Sequence, residues 1–99
     1  MNRPLDIVVV DDEPLAAERL AGFLADMPDC RVQALAVNAV QAFQIAQTQT
    51  PELMLLDIAM PGESGLDLAK RLQQLPNPPL VVFCTAFDQH AVAAFEAQA

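Results

Sequence analysis

The chain is poor in cysteine, glycine, histidine and positive charge, and each scarcity removes a class of protein. Two cysteines, Cys30 and Cys84, are too few for the staple framework of a small secreted domain, and Cys84 stands in an apolar run where a thiol behaves as a small hydrophobe. Reduced thiols and a cytoplasmic location are expected. Three glycines exclude a collagen-like repeat, and none forms a Gly-rich loop that could offer backbone N–H groups to a pyrophosphate after the first strand. Five basic residues against thirteen acidic ones give a net charge of −8, which opposes approach to a phosphate backbone or an anionic leaflet. Direct binding of nucleic acid or membrane by this segment is therefore not expected. The N-terminus reaches an apolar stretch of only Ile7 to Val10 before three acids, too short for a signal core or a membrane span.

What remains suits one small globule: 99 residues, 54% hydrophobic and 18% charged, with no internal repeat, linker or low-complexity tract. Leu5–Val10 is β-branched and almost wholly apolar, the pattern of a strand covered on both faces in a parallel sheet. Arg31–Ala36 is half polar, as expected nearer an edge, while Leu53–Leu56 and Leu80–Cys84 are again continuous and apolar. Helical spacing separates them: Leu15, Glu18/Arg19, Phe23 and Leu24; then Val40, Phe43, Ile45 and Ala46; then Leu66, Leu68, Ala69, Leu72 and Leu75, opened by Ser64-Gly65 and closed by Pro76. A fourth helix is expected from an Asp88 cap through Val92 and Phe95. Strict alternation of strand and helix with short connections predicts an α/β fold, a right-handed doubly wound parallel sheet.

In such sheets ligands bind beyond the carboxyl ends of the strands. There the first strand meets Asp11-Asp12-Glu13, the third Asp57 and the fourth Thr85, so these groups should converge at one rim. Crowded carboxylates repel and raise each other's pKa unless a cation sits among them, and hard oxygen donors with no His or Cys nearby suit Mg²⁺ and a phosphoryl group. Asp57, ending a central strand before the Met60-Pro61-Gly62 turn, is best placed to attack phosphorus and form an aspartyl phosphate. Thr85 could donate its hydroxyl to a phosphoryl oxygen.

Plainer readings stand beside these. Asp11-Asp12 could cap the first helix, Asp57 could merely start a turn, and Thr85 could cap the segment that follows it. His90, the sole histidine, reads as a solvated helix residue with no metal or catalytic role. Cys84, Phe43, Phe83 and Phe95 read as core, and the acidic excess away from the rim as solvated surface.

Val9-Val10-Asp11-Asp12-Glu13-Pro14, Leu55-Leu56-Asp57-Ile58-Ala59-Met60-Pro61-Gly62, Gly65 and Cys84-Thr85-Ala86, in that order and spacing, resemble the CheY-like receiver domain of two-component response regulators over essentially the whole chain, residues 1–99. The resemblance implies a flavodoxin-like fold of strand order 2-1-3-4-5 in which Asp57 accepts phosphate from a histidine kinase. It also implies that Asp12, Asp57 and the backbone carbonyl of Ala59 ligate Mg²⁺ directly, that Asp11 acts through water, and that Thr85 is the switch hydroxyl. The Phe83–Ala91 stretch, with Ala94-Phe95-Glu96, looks like regulators whose output is a LytTR-type DNA-binding domain controlling transcription.

Receivers also carry a fifth strand, a fifth helix and a Lys that pairs with the phosphoryl group; a chain ending at Ala99 within its fourth helix is expected to lack them, giving order 2-1-3-4, and its lysine, Lys70, falls in the wrong helix. The position two after Asp57, often Arg or Asn, is Ala59. A rival reading, a Mg²⁺-dependent phosphohydrolase of the haloacid-dehalogenase kind, requires a general acid at that same place, where alanine cannot serve. A third reading is a phosphate-independent interaction module. The leading expectation is a switch with no turnover on a diffusible substrate. It is also expected to dimerise through the apolar edge of Leu80–Cys84 and the terminal-helix face.

Overall fold

The computed structural model describes residues 3–84. Within them the elements run β1 (Leu5–Val10), α1 (Pro14–Ala25), β2 (Cys30–Ala36), α2 (Ala39–Gln49), β3 (Leu53–Leu56), α3 (Gly65–Leu72) and β4 (Leu80–Phe83). All strand pairs are parallel, as the alternation predicts, and the order is β2-β1-β3-β4, as the family resemblance implies. The fourth helix expected from Asp88, together with Thr85, His90, Val92 and Phe95, lies outside the described residues.

Each helix begins where local chemistry starts one. Pro14 occupies the first turn of α1, where its missing N–H costs nothing. The Asn38 side chain caps α2 by accepting from Gln41 N–H at 2.8 Å, and Ser64 Oγ caps α3 by accepting from Asp67 N–H at 3.2 Å. Two apolar layers then form, one on each face of the sheet. Val8, Val10, Met54 and Leu56 meet Ala39, Ala42 and Ala46 of α2 and Leu68 and Leu72 of α3. On the other face Ile7, Val9 and Leu55 meet Ala17 of α1, with Leu20, Leu24 and Cys84 packed around them. Leu56, Leu68 and Leu72 are fully buried, each stabilising the fold by about 1.5–3 kcal/mol.

Several positions of the helical pattern turn outward. Leu15, Phe23, Val40 and Leu66 are all exposed, Leu15 by 73%. The buried hydrophobic helix positions are Ala17 on α1, with Leu20 and Leu24 packed beside it, Ala39, Ala42 and Ala46 on α2, and Leu68 and Leu72 on α3. Phe83, read as core, is likewise exposed, because β4 is the last strand of the described sheet.

At the amino ends of the strands, acids and bases interlock. Asp6 receives Arg31 Nε at 2.7 Å and Nη2 at 2.6 Å, with Arg3 Nη1 3.6 Å away. Arg3 also reaches Glu52 at 3.1 Å. Asp6 N–H donates to Glu52 Oε1 at 3.1 Å while Glu52 N–H donates to the Asp6 carbonyl at 3.0 Å, so β1 and β3 are strapped reciprocally. Asp6 and Glu52 are thus part of a network, which corrects their reading as plain solvated surface.

Candidate functional site

The parallel ladder does not stop where the strands do. Asp57 N–H donates to the Val10 carbonyl at 3.0 Å, Asp11 N–H to Ala36 at 3.0 Å, and Cys84 N–H to Leu56 at 2.8 Å. These bonds carry the register one residue past β1, β3 and β4. The first residues beyond the apolar strands are therefore held by the sheet itself rather than by a loose loop. Asp11, Asp12 and Asp57 are brought together in this way, each offering a carboxylate oxygen within 4.8 Å of the others.

The backbone next to Asp57 is equally constrained. Its Oδ1 accepts from Ala59 N–H at 3.2 Å, and Gly65 N–H closes the loop by donating to the Ile58 carbonyl at 2.9 Å. Gly65 approaches so closely that a Cβ there would lie 2.3 Å from the Asp57 carbonyl oxygen. Only glycine lets α3 start against the end of β3. Gly62, at φ +82°, makes the left-handed turn that follows Pro61. Asp11 Oδ1 accepts from Glu13 N–H at 2.9 Å, tightening the opposite loop. The residue at the N-cap position of α1 is Glu13, which makes no side-chain cap bond, so neither Asp11 nor Asp12 serves as the cap.

Electrostatics at this rim are one-sided. Burial raises the Asp57 carboxyl above its ordinary 3.8, the Ala59 N–H opposes this, and the charges of Asp11 and Asp12 raise it further. Among the described residues no basic side chain lies within ion-pair distance of the three acids. Three clustered oxygen donors without an imidazole or thiolate among them form a set that a hard divalent cation would satisfy, and neutralising their repulsion is the physical reason for one to bind. Beside them opens a cleft of about 240 Å³ whose mouth carries Asp11, Glu13 and Asp57 and whose wall includes Leu20, Leu55 and Cys84. Burial among these apolar groups pushes the Cys84 thiol up, in keeping with a packing role.

Asp11, Asp12, Asp57 and Ala59 thus stand at one rim as the sequence pattern anticipates; Thr85 follows Cys84 outside the described residues. The contact of Gly65 with the Asp57 carbonyl, and an ion pair between Glu63 of the loop after Asp57 and Arg71 of α3, have no counterpart in that pattern. No helix among the described residues is long and apolar enough to cross a membrane.

Residues 7–99 match the pattern of the response regulator receiver domain. The chain is 43% identical over 96 residues to the positive alginate biosynthesis regulatory protein of Pseudomonas aeruginosa, covering 96% of this chain and 39% of that protein. It is 43% identical over 95 residues to the sensory transduction protein LytT of Bacillus subtilis, again covering 96% of this chain and 39% of the relative. It therefore spans well under half the length of these relatives. Among solved structures, the response regulator domain of Thermotoga maritima CheB superposes with a TM-score of 0.81 at 25% identity, over 97% of this chain and 72% of that one. With the matching strand order, the acidic rim at the carboxyl ends of β1 and β3, and these similarities, the chain belongs to the response regulator receiver domain family, the signalling domains of two-component systems.

Proposed function

We propose that residues 1–99 act as one receiver domain in which Asp57 accepts a phosphoryl group from the phosphohistidine of a histidine kinase. The observation that carries this reading is the uncompensated trio Asp11, Asp12 and Asp57, held together by ladder hydrogen bonds at the end of the sheet. A carboxylate oxygen of Asp57 attacks phosphorus, a P–O bond forms as the P–N bond breaks, and the departing imidazole takes up a proton. Asp12, Asp57 and the Ala59 carbonyl would hold Mg²⁺, with Asp11 acting through water. When bound, the cation supplies charge neutralisation between the anionic acceptor and the incoming phosphoryl group. The Ala59 N–H fixes one oxygen of Asp57 and leaves the other free to react. The Thr85 hydroxyl would meet the phosphoryl oxygen and report its presence.

The domain is a switch without turnover on a diffusible substrate. A phosphohydrolase reading is disfavoured because Ala59 supplies no proton to a leaving group. The similarity to two regulatory proteins, together with the Phe83–Ala91 stretch, favours a cytoplasmic regulator with a LytTR-type transcriptional output. The test is incubation with acetyl phosphate or beryllofluoride, with and without Mg²⁺. An adduct should form only with Mg²⁺ and disappear in Asp57→Asn; an adduct that survives that substitution or forms in EDTA refutes the assignment.

A second copy of the chain is the partner that β4 favours. Leu80 is 68% exposed, Val82 and Phe83 are exposed beside it, and among the described residues no strand covers the outer edge of β4. The opposite edge strand, β2, carries Arg31 and a bulge at Gln33, devices that discourage strand addition. No charged residue occurs between Arg71 and Asp88, so in a chain of net charge −8 this strip is where two copies can meet without repulsion. Light scattering at micromolar concentration should detect a dimer, and Val82→Lys should dissolve it; a compact monomer would rule the contact out.

A further inference from the structure

We propose that Arg71 is a positioning residue for the acceptor loop, bracing the segment from Ala59 to Glu63 from two turns away on α3; this rests on the reading that Asp12, Asp57 and the Ala59 carbonyl hold Mg²⁺. The loop has little else to hold its outer half. Ala59 N–H is tied to Asp57, and Gly65 N–H to Ile58, but among the described residues the N–H groups of Met60, Gly62 and Glu63 have no protein acceptor. Met60 is buried, which anchors one point. Beyond it the turn at Pro61-Gly62 leads to Glu63, whose Oε1 pairs with Arg71 Nη1.

Arg71 is itself held at its midpoint. Its guanidinium carbon lies 4.2 Å from the centre of the Phe43 ring on α2. Side chains on a helix lean toward its N-terminus, so the Arg71 stem runs back along α3 and its guanidinium both stacks over Phe43 and pairs with Glu63. One flat group thus joins α2, α3 and the acceptor loop. A guanidinium can stack and pair at once, which an ammonium does poorly. The aromatic face also takes water from one side of the cation, so the pair is less solvated than an ordinary surface ion pair. Glu63 is four residues from Ala59, and a loop tethered at Met60 and Glu63 keeps the intervening backbone, with the Ala59 carbonyl at its start, from drifting.

Three variants of the 99-residue chain test the brace: Arg71→Ala, Arg71→Lys and Glu63→Gln, alone and with Arg71→Ala combined with Glu63→Gln. Mg²⁺ affinity is measured by calorimetry or NMR titration, and hydrogen exchange is followed at the amides of Ala59 and Gly65, the hydrogen-bonded N–H groups at the two ends of the loop. Arg71→Ala should weaken Mg²⁺ binding by about fivefold, the combined worth of a partly exposed pair and a cation–π contact, and Glu63→Gln, which keeps the Phe43 contact, by about twofold. Exchange at Ala59 and Gly65 should accelerate by a similar factor. Arg71→Lys should recover part of both effects, and the double variant should be no worse than Arg71→Ala alone. A drop in melting temperature with unchanged exchange and unchanged Mg²⁺ affinity overturns the proposal, as does additivity in the double variant. If Arg71→Ala fails to fold, unchanged exchange in both Arg71→Lys and Glu63→Gln overturns it equally. A wild-type chain that binds no Mg²⁺ overturns the metal reading itself, whereas unaltered loop exchange in a chain that does bind overturns the brace alone.

Discussion

The two ends of the sheet hold nearly the same number of acids and treat them oppositely. At the amino ends of the strands, Asp6 and Glu52 are answered by Arg3 and Arg31 and tied into the backbone of β1 and β3. At the carboxyl ends, Asp11, Asp12 and Asp57 face one another with no basic partner among the described residues. The first end is a clamp whose charges are satisfied within the fold. The second carries repulsion that the fold maintains with backbone hydrogen bonds and close packing, and that only a bound cation would relieve. Where a small domain leaves like charges together although a compensated arrangement stands at its other end, the uncompensated set is the place to look for chemistry.

That contrast can be broken most severely at Gly65. Alanine there drives a Cβ into the Asp57 carbonyl, so α3 or β3 must shift. Gly65→Ala should lose about 3 kcal/mol of stability in urea denaturation and disperse the acidic trio with every carboxylate still present. Retention of both stability and Mg²⁺ binding would show that the close approach is not what assembles this end.

Next in size is the cation. Mg²⁺ at a hundredfold excess over its dissociation constant should stabilise the chain by about 2.7 kcal/mol. Asp12→Ala should abolish most of this gain and Asp11→Ala less, since a direct ligand contributes more than one acting through water. Calorimetric titration and thermal melts check the ranking, and equal losses would refute it.

Removing one acid from each end should give opposite signs. Asp6→Ala discards charge-assisted hydrogen bonds from Arg31 and should cost about 2 kcal/mol. Asp57→Asn, without Mg²⁺ at neutral pH, should instead stabilise slightly, because it removes a charge that burial and two neighbouring carboxylates disfavour, an effect that solvent screening keeps small. The smallest effect is its pH dependence. The Asp57 carboxyl titrates higher in the folded chain than in the unfolded one, so between 3.8 and the raised value the folded state binds more protons. The Asp57 contribution to stability therefore falls as pH rises through that window, and Asp57→Asn removes the slope. Denaturation at several pH values in EDTA would reveal it; a wild-type slope identical to that of Asp57→Asn would contradict the raised titration.

Much of the acidic end is legible in the chain's own pattern. Leu5–Val10 and Leu53–Leu56 are unbroken apolar runs, and in a parallel α/β chain the first polar residue after each must emerge at the same edge. The family resemblance rests on those same residues. The amino end is not legible: nothing in the spacing of Arg3, Asp6, Arg31 and Glu52 reveals that they meet, because the register of β1 against β2 and β3 decides it. Helix faces escape the pattern for a related reason. Leu15 and Phe23 of α1 and Val40 of α2 fit an apolar helical spacing, yet α1 meets the sheet through Ala17, Leu20 and Leu24 and α2 through Ala39, Ala42 and Ala46, so those three residues face outward.

The sequence by itself determined the element order, the sheet class and the candidate acids, since local periodicity and the rule that parallel strands end together suffice for those. Only the tertiary structure decided which acids are compensated, that Gly65 presses on the Asp57 carbonyl, and that Arg71 links Phe43 to Glu63. Those depend on contacts between residues far apart in the chain, whose distances are set by strand register and helix docking rather than by any local pattern.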